Sequence, residues 1–150
     1  MRRLSKETER VLRKTFSDVP FLSDLKVKLG PVGPGFARVS IHFERRLAQM
    51  YGFMHGGVVA ALADTAATYA SNTLLFPERL TITAELKINY TAPVKTQKAY
   101  ADATVLHSGS KTSVSEVKVF DSAKKLCAAA LITNLIVPRE TYKINPHPKK

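Results

Sequence analysis

Apolar positions recur at helical spacing at the start of the chain, where Leu4, Val11, Leu12 and Phe16 fall near one side and charges lie elsewhere. This predicts an amphipathic helix within residues 1–20 that packs on the body. From 22 to 43 the chain reads as strand, interrupted by the turn Gly30-Pro31-Val32-Gly33-Pro34-Gly35. Pro31 and Pro34 have no N–H to offer, so this glycine-rich run is no phosphate cradle. After it, Ala37, Val39, Ile41 and Phe43 alternate with Phe36, Arg38, Ser40 and His42, the period of a half-covered strand.

The pattern then changes. Gly56-Gly57 opens the run VVAALADTAATYASNTLLF, helical in spacing and rich in small residues, and Pro77 stops it. Small side chains over most of a helix let other backbone come close on several sides, so this helix is expected to be wrapped. Four strand-like segments follow, separated by turn chemistry. Residues 81–90 place Ile82, Ala84, Leu86, Ile88 and Tyr90 on the inner face and Thr83, Glu85, Lys87 and Asn89 on the outer one. Thr91-Ala92-Pro93 ends that segment. The next two, 99–107 and 112–120, close on Ser108-Gly109-Ser110 and Asp121-Ser122-Ala123-Lys124. Residues 126–137 are apolar except for Thr133 and Asn134, as expected of a strand covered on both faces. Residues 138–150 are expected to form a mobile tail.

Short turns force neighbouring strands antiparallel. A curled antiparallel sheet wrapped around one central helix, an α+β arrangement in a single domain spanning 1–150, satisfies both patterns. Such a sheet leaves open edges, and pairing edge to edge with a second copy closes them. A homodimer at least is expected.

Composition narrows the classes. With 45% hydrophobic residues the chain can bury a core, which excludes a wholly disordered protein. The one stretch long enough to cross a membrane, 56–76, carries Asp64, Thr65, Thr68, Ser71, Asn72 and Thr73 and reads as a buried soluble helix. The basic N-terminus has no apolar segment after it, so no secretory signal is read and a cytoplasmic location is expected. A lone cysteine, Cys127, excludes an internal disulfide and reads as a small hydrophobe. His42, His107 and His147 form no metal spacing, so no metal and no cofactor is expected. Seven of the eleven excess positive charges lie in residues 1–14 and 138–150. A basic surface favours anionic partners, but no strand interleaves aromatic with basic residues, so nucleic acid is not expected among them.

Candidate chemistry sits in residues 47–78, which hold no Lys or Arg. That stretch contains Gln49, Tyr51, His55, Gly56, Gly57 and Asp64. The helix neighbours of Asp64 at three and four residues are Ala60, Ala61, Ala67 and Thr68, so no local cation pairs with it. Burying a lone carboxylate is costly and points to a distant partner or to a function. At the start of the same helix, Gly56 and Gly57 let a ligand approach free N–H groups at the positive helix end. Those donors suit a carbonyl oxygen that becomes negative during acyl transfer. A carboxylate and an oxyanion site on one element are the minimum for hydrolysing an activated ester, with the carboxylate as general base or as nucleophile.

Met54-His55-Gly56-Gly57, followed by Ala61-Leu62-Ala63-Asp64, resembles the signature of the hotdog-fold acyl-CoA thioesterases, in the branch of the phenylacetate-pathway (PaaI-like) and thioesterase-superfamily-member enzymes. Thr83-Ala-Glu-Leu-Lys-Ile-Asn-Tyr-Thr-Ala-Pro93 resembles that family's strand after the helix, and Gly109-Ser110-Lys111 its next turn. The similarity spans about Gln49 to Val137. It implies a hotdog fold, an acyl-CoA substrate and sites at a dimer interface, with Asp64 working against His55 and Gly56 of the other subunit. Asp64 would be base or nucleophile, the Gly56 amide would polarise the thioester carbonyl, His55 would hold that end of the site, and Thr83 would position water or the carboxylate. Gly57, Tyr90, Pro93, Lys95, Gly109, Ser110 and Lys111 would contact substrate, the two lysines as phosphate partners. Six residues before His55 the best-studied members carry Asn, where this chain has Gln49, the same amide one methylene further out. A dimer, and from two of them a dimer of dimers, is expected. The acyl group, lined by residues such as Met50, Phe53, Tyr69 and Phe76, is expected to be medium-chain or aromatic. Two other functions compete with the thioesterase: a hotdog acyl hydratase or dehydratase, and a non-catalytic acyl-CoA binding module.

Overall fold

The computed structural model describes residues 3–141. Helix α1 (Lys6–Ser17) starts where the Ser5 hydroxyl accepts the Thr8 N–H at 3.0 Å. Its apolar stripe buries Leu12 and Phe16. A one-turn helix α2 (Pro20–Asp24) follows, with Pro20 in its first turn and Val19 extended before it, as the residue before a proline prefers. This corrects the strand expected from residue 22. Strand β1 (Lys28–Gly33) then runs through most of the expected glycine-proline turn, and only Pro34 and Gly35 turn the chain into β2 (Phe36–His42). Gly35 takes the left-handed φ of +71° that the turn requires.

The long helix α3 (Gly56–Asn72) lies in the concave face of a six-stranded sheet completed by β3 (Arg79–Tyr90), β4 (Lys98–Ser108), β5 (Thr112–Asp121) and β6 (Leu126–Pro138). Every pair is antiparallel, in the order β1-β2-β4-β5-β6-β3. Consecutive strands are therefore not always neighbours: β3 pairs with β6, because residues 91–97 carry the chain across to β2's other side. The result is the curled sheet around one helix that defines the hotdog arrangement. Small residues make the close wrapping possible. Ala63, Ala66, Ala67 and Ala70 of α3 meet Ala99, Ala101, Ala103 and Ala128 of the sheet, all fully buried. Among the described residues, no helix is long and apolar enough to cross a membrane. Pro138 ends β6, and Arg139–Thr141 form a single 3-10 turn. The rest of the expected mobile tail, from 142, lies outside the described residues.

The C-terminal half of α3 pins β3. Asn72 Oδ1 accepts both the N–H and the hydroxyl of Thr81, each at 3.0 Å. From there the pairing with β6 passes from Thr83↔Asn134 to Glu85↔Thr133, so Ala84 is an extra residue, a β-bulge. The bulge inverts the strand's faces. Thr81 and Thr83 point to the helix above it, and Leu86 and Ile88 pack on the core below it. The expected inward places of Ile82 and Ala84 are thus overturned, and so is the outward place of Thr83.

On the other side of α3, Tyr69 meets Phe16 edge to face at 4.9 Å between centroids. Burial pushes the Tyr69 phenol from 10.0 up to about 12. A group whose proton is held more tightly in the folded state supports folding below its unfolded value, and that support is lost as pH rises through the folded one. Thermal melts between pH 10 and about 12 are therefore expected to fall less steeply for Tyr69→Phe than for the wild type.

Candidate active site

A short loop delivers the chain to the start of α3. The His55 N–H donates to the Leu47 carbonyl at 2.8 Å, and Ala48 and Met54 form a bridge across the loop base. Gly52 makes the turn with φ +82°. His55 is the N-cap: its Nδ1 accepts the Gly57 N–H at 2.9 Å. With Nδ1 accepting, a neutral His55 ring carries its proton on Nε2. The capping takes the Gly57 amide out of play and leaves its neighbour: the Gly56 N–H meets no acceptor among the described residues. One unpaired donor thus stands at the positive end of a helix. The Tyr90 hydroxyl donates to the Gly56 carbonyl at 3.0 Å and so holds the next peptide, between Gly56 and Gly57.

Gln49, Phe53, Gly56, Tyr90 and Pro93 line an open groove of about 390 Å3. Gln49 Oε1 accepts the Tyr51 N–H within its own loop, so its amide nitrogen is the end left to face a ligand. Lys95 lies over the Phe53 ring at 4.9 Å, at the edge of this groove.

Asp64 is half-buried two turns further along α3. Thr83 donates its hydroxyl proton to Asp64 Oδ1 at 2.6 Å. Thr83 in turn accepts from Asn134 Nδ2 at 3.1 Å, and Thr68 Oγ1 lies 3.5 Å from it. No cation pairs with Asp64 among the described residues. The carboxylate opens on a second, mainly apolar recess of about 440 Å3, walled by Val19, Phe21, Leu22, Thr68 and Tyr69. The walls from α2 escaped sequence reasoning because one helical turn has no periodicity to read. Asn134 was visible as a polar residue in an apolar strand, but nothing local tied it to Asp64. Of the residues expected to hold the acyl group, Phe53 lines the groove and Tyr69 the recess. Met50 is 87% exposed at the loop tip and Phe76 packs on the core, and neither lines the groove or the recess.

The expected site residues therefore fall into two groups. One holds Gln49, His55, Gly56, Gly57, Tyr90, Pro93 and Lys95. The other holds Asp64 and Thr83. The turn Gly109-Ser110-Lys111 lies across β6 from β3 at the Thr81 end of that strand, its Lys111 carbonyl accepting the Ile136 N–H at 2.8 Å. Gly56 and Asp64 are eight residues apart, about 12 Å along a helix. Ala128, opposite Tyr90, and Ile136, beside Lys111, are also eight residues apart, which is about 26 Å along a strand. A carbonyl carbon within reach of one group in a chain is out of reach of the other.

Comparison with known proteins agrees with this architecture. The family model described as the thioesterase superfamily matches residues 51–128. A protein of Saccharolobus solfataricus, whose name says esterase and gives no substrate, is 36% identical over 107 residues, 71% of this chain and 70% of its own length. The 1,4-dihydroxy-2-naphthoyl-CoA hydrolase of Listeria monocytogenes is 28% identical over 107 residues, 71% of this chain and 87% of its own. In fold, the PaaI protein from the phenylacetic acid degradation operon of Escherichia coli superposes with a TM-score of 0.82 at 21% identity, covering 89% of this chain and 96% of that one. The matched segment, the curled sheet and the helix opening on His55-Gly56-Gly57 place this chain in the thioesterase superfamily.

Proposed function

We propose that this protein hydrolyses an acyl-CoA thioester to a free acid and CoA, at two sites that each draw on both subunits of a homodimer. The observation that carries the reading is the separation of the two groups: a lone carboxylate and a free amide, each built with care, about 12 Å apart on one helix. Two copies resolve it. Strand β3 is an edge of the sheet, 12 residues long and free of proline, and an edge of that kind is open to pairing. Antiparallel pairing of two β3 edges about a two-fold near Leu86 and Lys87 sets the Thr83 end of one beside the Tyr90 end of the other. Asp64 of one subunit then faces Gly56 of its partner.

In that frame the thioester carbonyl oxygen lies on the Gly56 N–H. Asp64 either takes the proton from an attacking water or attacks the carbonyl itself, and both routes pass through the same tetrahedral carbon. The carbonyl's electron pair moves onto oxygen, where the amide stabilises it. Its return expels the CoA thiolate. On the base route the proton that Asp64 took from water passes to that thiolate and the free acid is left. On the nucleophile route the acyl group stays on Asp64 as an anhydride, which a water then hydrolyses to the free acid, the proton released going to the thiolate. Gln49 faces the same groove with its amide nitrogen, and His55 keeps the Gly56 donor free. Tyr90, Pro93 and Lys95 on one subunit and Gly109, Ser110 and Lys111 on the other are the CoA contacts, with the two lysines toward its phosphates. The apolar recess beside Asp64 suits a medium-chain or aromatic acyl group. On β6, Leu131 and Leu135 remain 48% and 46% exposed on the sheet's outer face and offer the contact for a dimer of dimers.

The test is thiol release from acyl-CoAs of short, medium, long and aromatic acyl groups, with the oligomer sized in parallel. Turnover is expected to be highest on a medium-chain or aromatic ester. Binding of every ester without turnover on any would replace the enzyme with a binding module.

A further inference from the structure

Asn134 is fully buried in the middle of β6, in a strand otherwise apolar on its inner face. Its Oδ1 is the one buried side-chain oxygen or nitrogen without a hydrogen-bond partner among the described residues. An amide kept in a core with an oxygen unpaired lowers stability, so a gain elsewhere is needed to explain it. The amide's other end supplies one. Nδ2 donates to Thr83 Oγ1 at 3.1 Å, and Thr83 Oγ1 donates to Asp64 Oδ1 at 2.6 Å.

A threonine hydroxyl has a single proton and can turn it toward any nearby acceptor. Thr83 has two acceptors within reach, Asp64 Oδ1 and Thr68 Oγ1 at 3.5 Å. An N–H that occupies a lone pair on Thr83 fixes the rotor so that its proton goes to the carboxylate. We propose that Asn134 is a positioning residue for Asp64, acting through Thr83. It commits the Thr83 proton to Oδ1, holds the carboxylate plane, and leaves Oδ2 outside the chain of hydrogen bonds, available to water or the acyl carbon. The β-bulge at Ala84 belongs to the same device, since it turns Thr83 inward while Thr83 still pairs with Asn134. The inference rests on the hydrolase reading for its consequence in rate, and on geometry alone for the chain of hydrogen bonds.

Asn134→Leu keeps the volume and removes both the donor and the unpaired oxygen. It is expected to melt no lower than the wild type, while kcat falls about five- to tenfold and KM stays within about twofold. In a Thr83→Val background the same change is expected to add nothing to the loss, because the residue through which it acts is gone. A purely structural Asn134 predicts the reverse: a lower melting temperature and an equal loss in both backgrounds. Either of those results overturns the proposal. Asn134→Ser, too short to reach Thr83, serves where Asn134→Leu does not fold. One readout needs no turnover and so separates this inference from the hydrolase reading. The Asn134 side-chain amide resonances are expected to shift both in Thr83→Val and in Asp64→Ala. Resonances unmoved by Asp64→Ala would show that no chain connects the two.

Discussion

Asp64→Asn is expected to abolish most thiol release, with kcat lower by about 10²- to 10⁴-fold, while the chain stays folded and dimeric. The substitution preserves shape, and the new amide oxygen can still accept the Thr83 proton now taken by Oδ1. What it removes is the negative charge that draws a proton from water or attacks a carbonyl. Stability is expected to hold because no cation pairs with Asp64 among the described residues, so no ion pair is broken. A half-buried carboxylate without such a counter-charge adds little to folding. Steady-state kinetics beside a melting curve check both halves. A loss of activity that tracked a loss of fold would return Asp64 to a structural role.

Gly56→Pro is the second large effect, and it tests a single N–H. Gly56 is the first helical residue of α3, the position where proline is best tolerated because that amide has no partner inside the helix. His55 before it has φ −63° and ψ 138°, within the extended region that a residue preceding proline favours. A Cβ at Gly56 would touch the Tyr90 ring at 3.4–3.5 Å, ordinary contact. The fold should therefore accept the ring, and Tyr90 can still donate to the carbonyl of residue 56. The lost donor is expected to lower kcat by about 10²- to 10³-fold, the range for removing one oxyanion donor. Gly56→Ala, which keeps the N–H, is expected to lose far less. Equal losses in the two variants would mean that crowding, and not the amide, is what matters at this position.

The helix and its carboxylate were legible because their signals are local. The small residues of α3 announce a wrapped helix, Pro77 limits it, and a 32-residue stretch without Lys or Arg isolates Asp64 from any cation nearby in sequence. The alternation on β2 likewise follows from one covered face. The place of Thr83 was not legible from alternation, because a single extra residue at Ala84 reverses inside and outside and leaves no mark in the period. Nor was the edge position of β3, since a connection of seven residues is as compatible with a hairpin neighbour as with a crossover. The His55–Gly57 hydrogen bond, which decides which glycine amide is free, depends on one ring orientation. Asn134 needed the β3–β6 register before it could be connected with anything.

The site's division between subunits is the claim on which the mechanism depends, and mixed dimers measure it. Asp64→Asn and Gly56→Pro chains, each nearly inactive alone, are co-assembled with distinct tags, and the dimer carrying both is isolated. Each such dimer has one site that combines an intact Asp64 with an intact Gly56 and one that has neither. Thiol release per mixed dimer is predicted to return to about half that of the wild type, as two-fold symmetry requires. A mixed dimer as inactive as its two parents would contradict the account and confine the chemistry within a single chain.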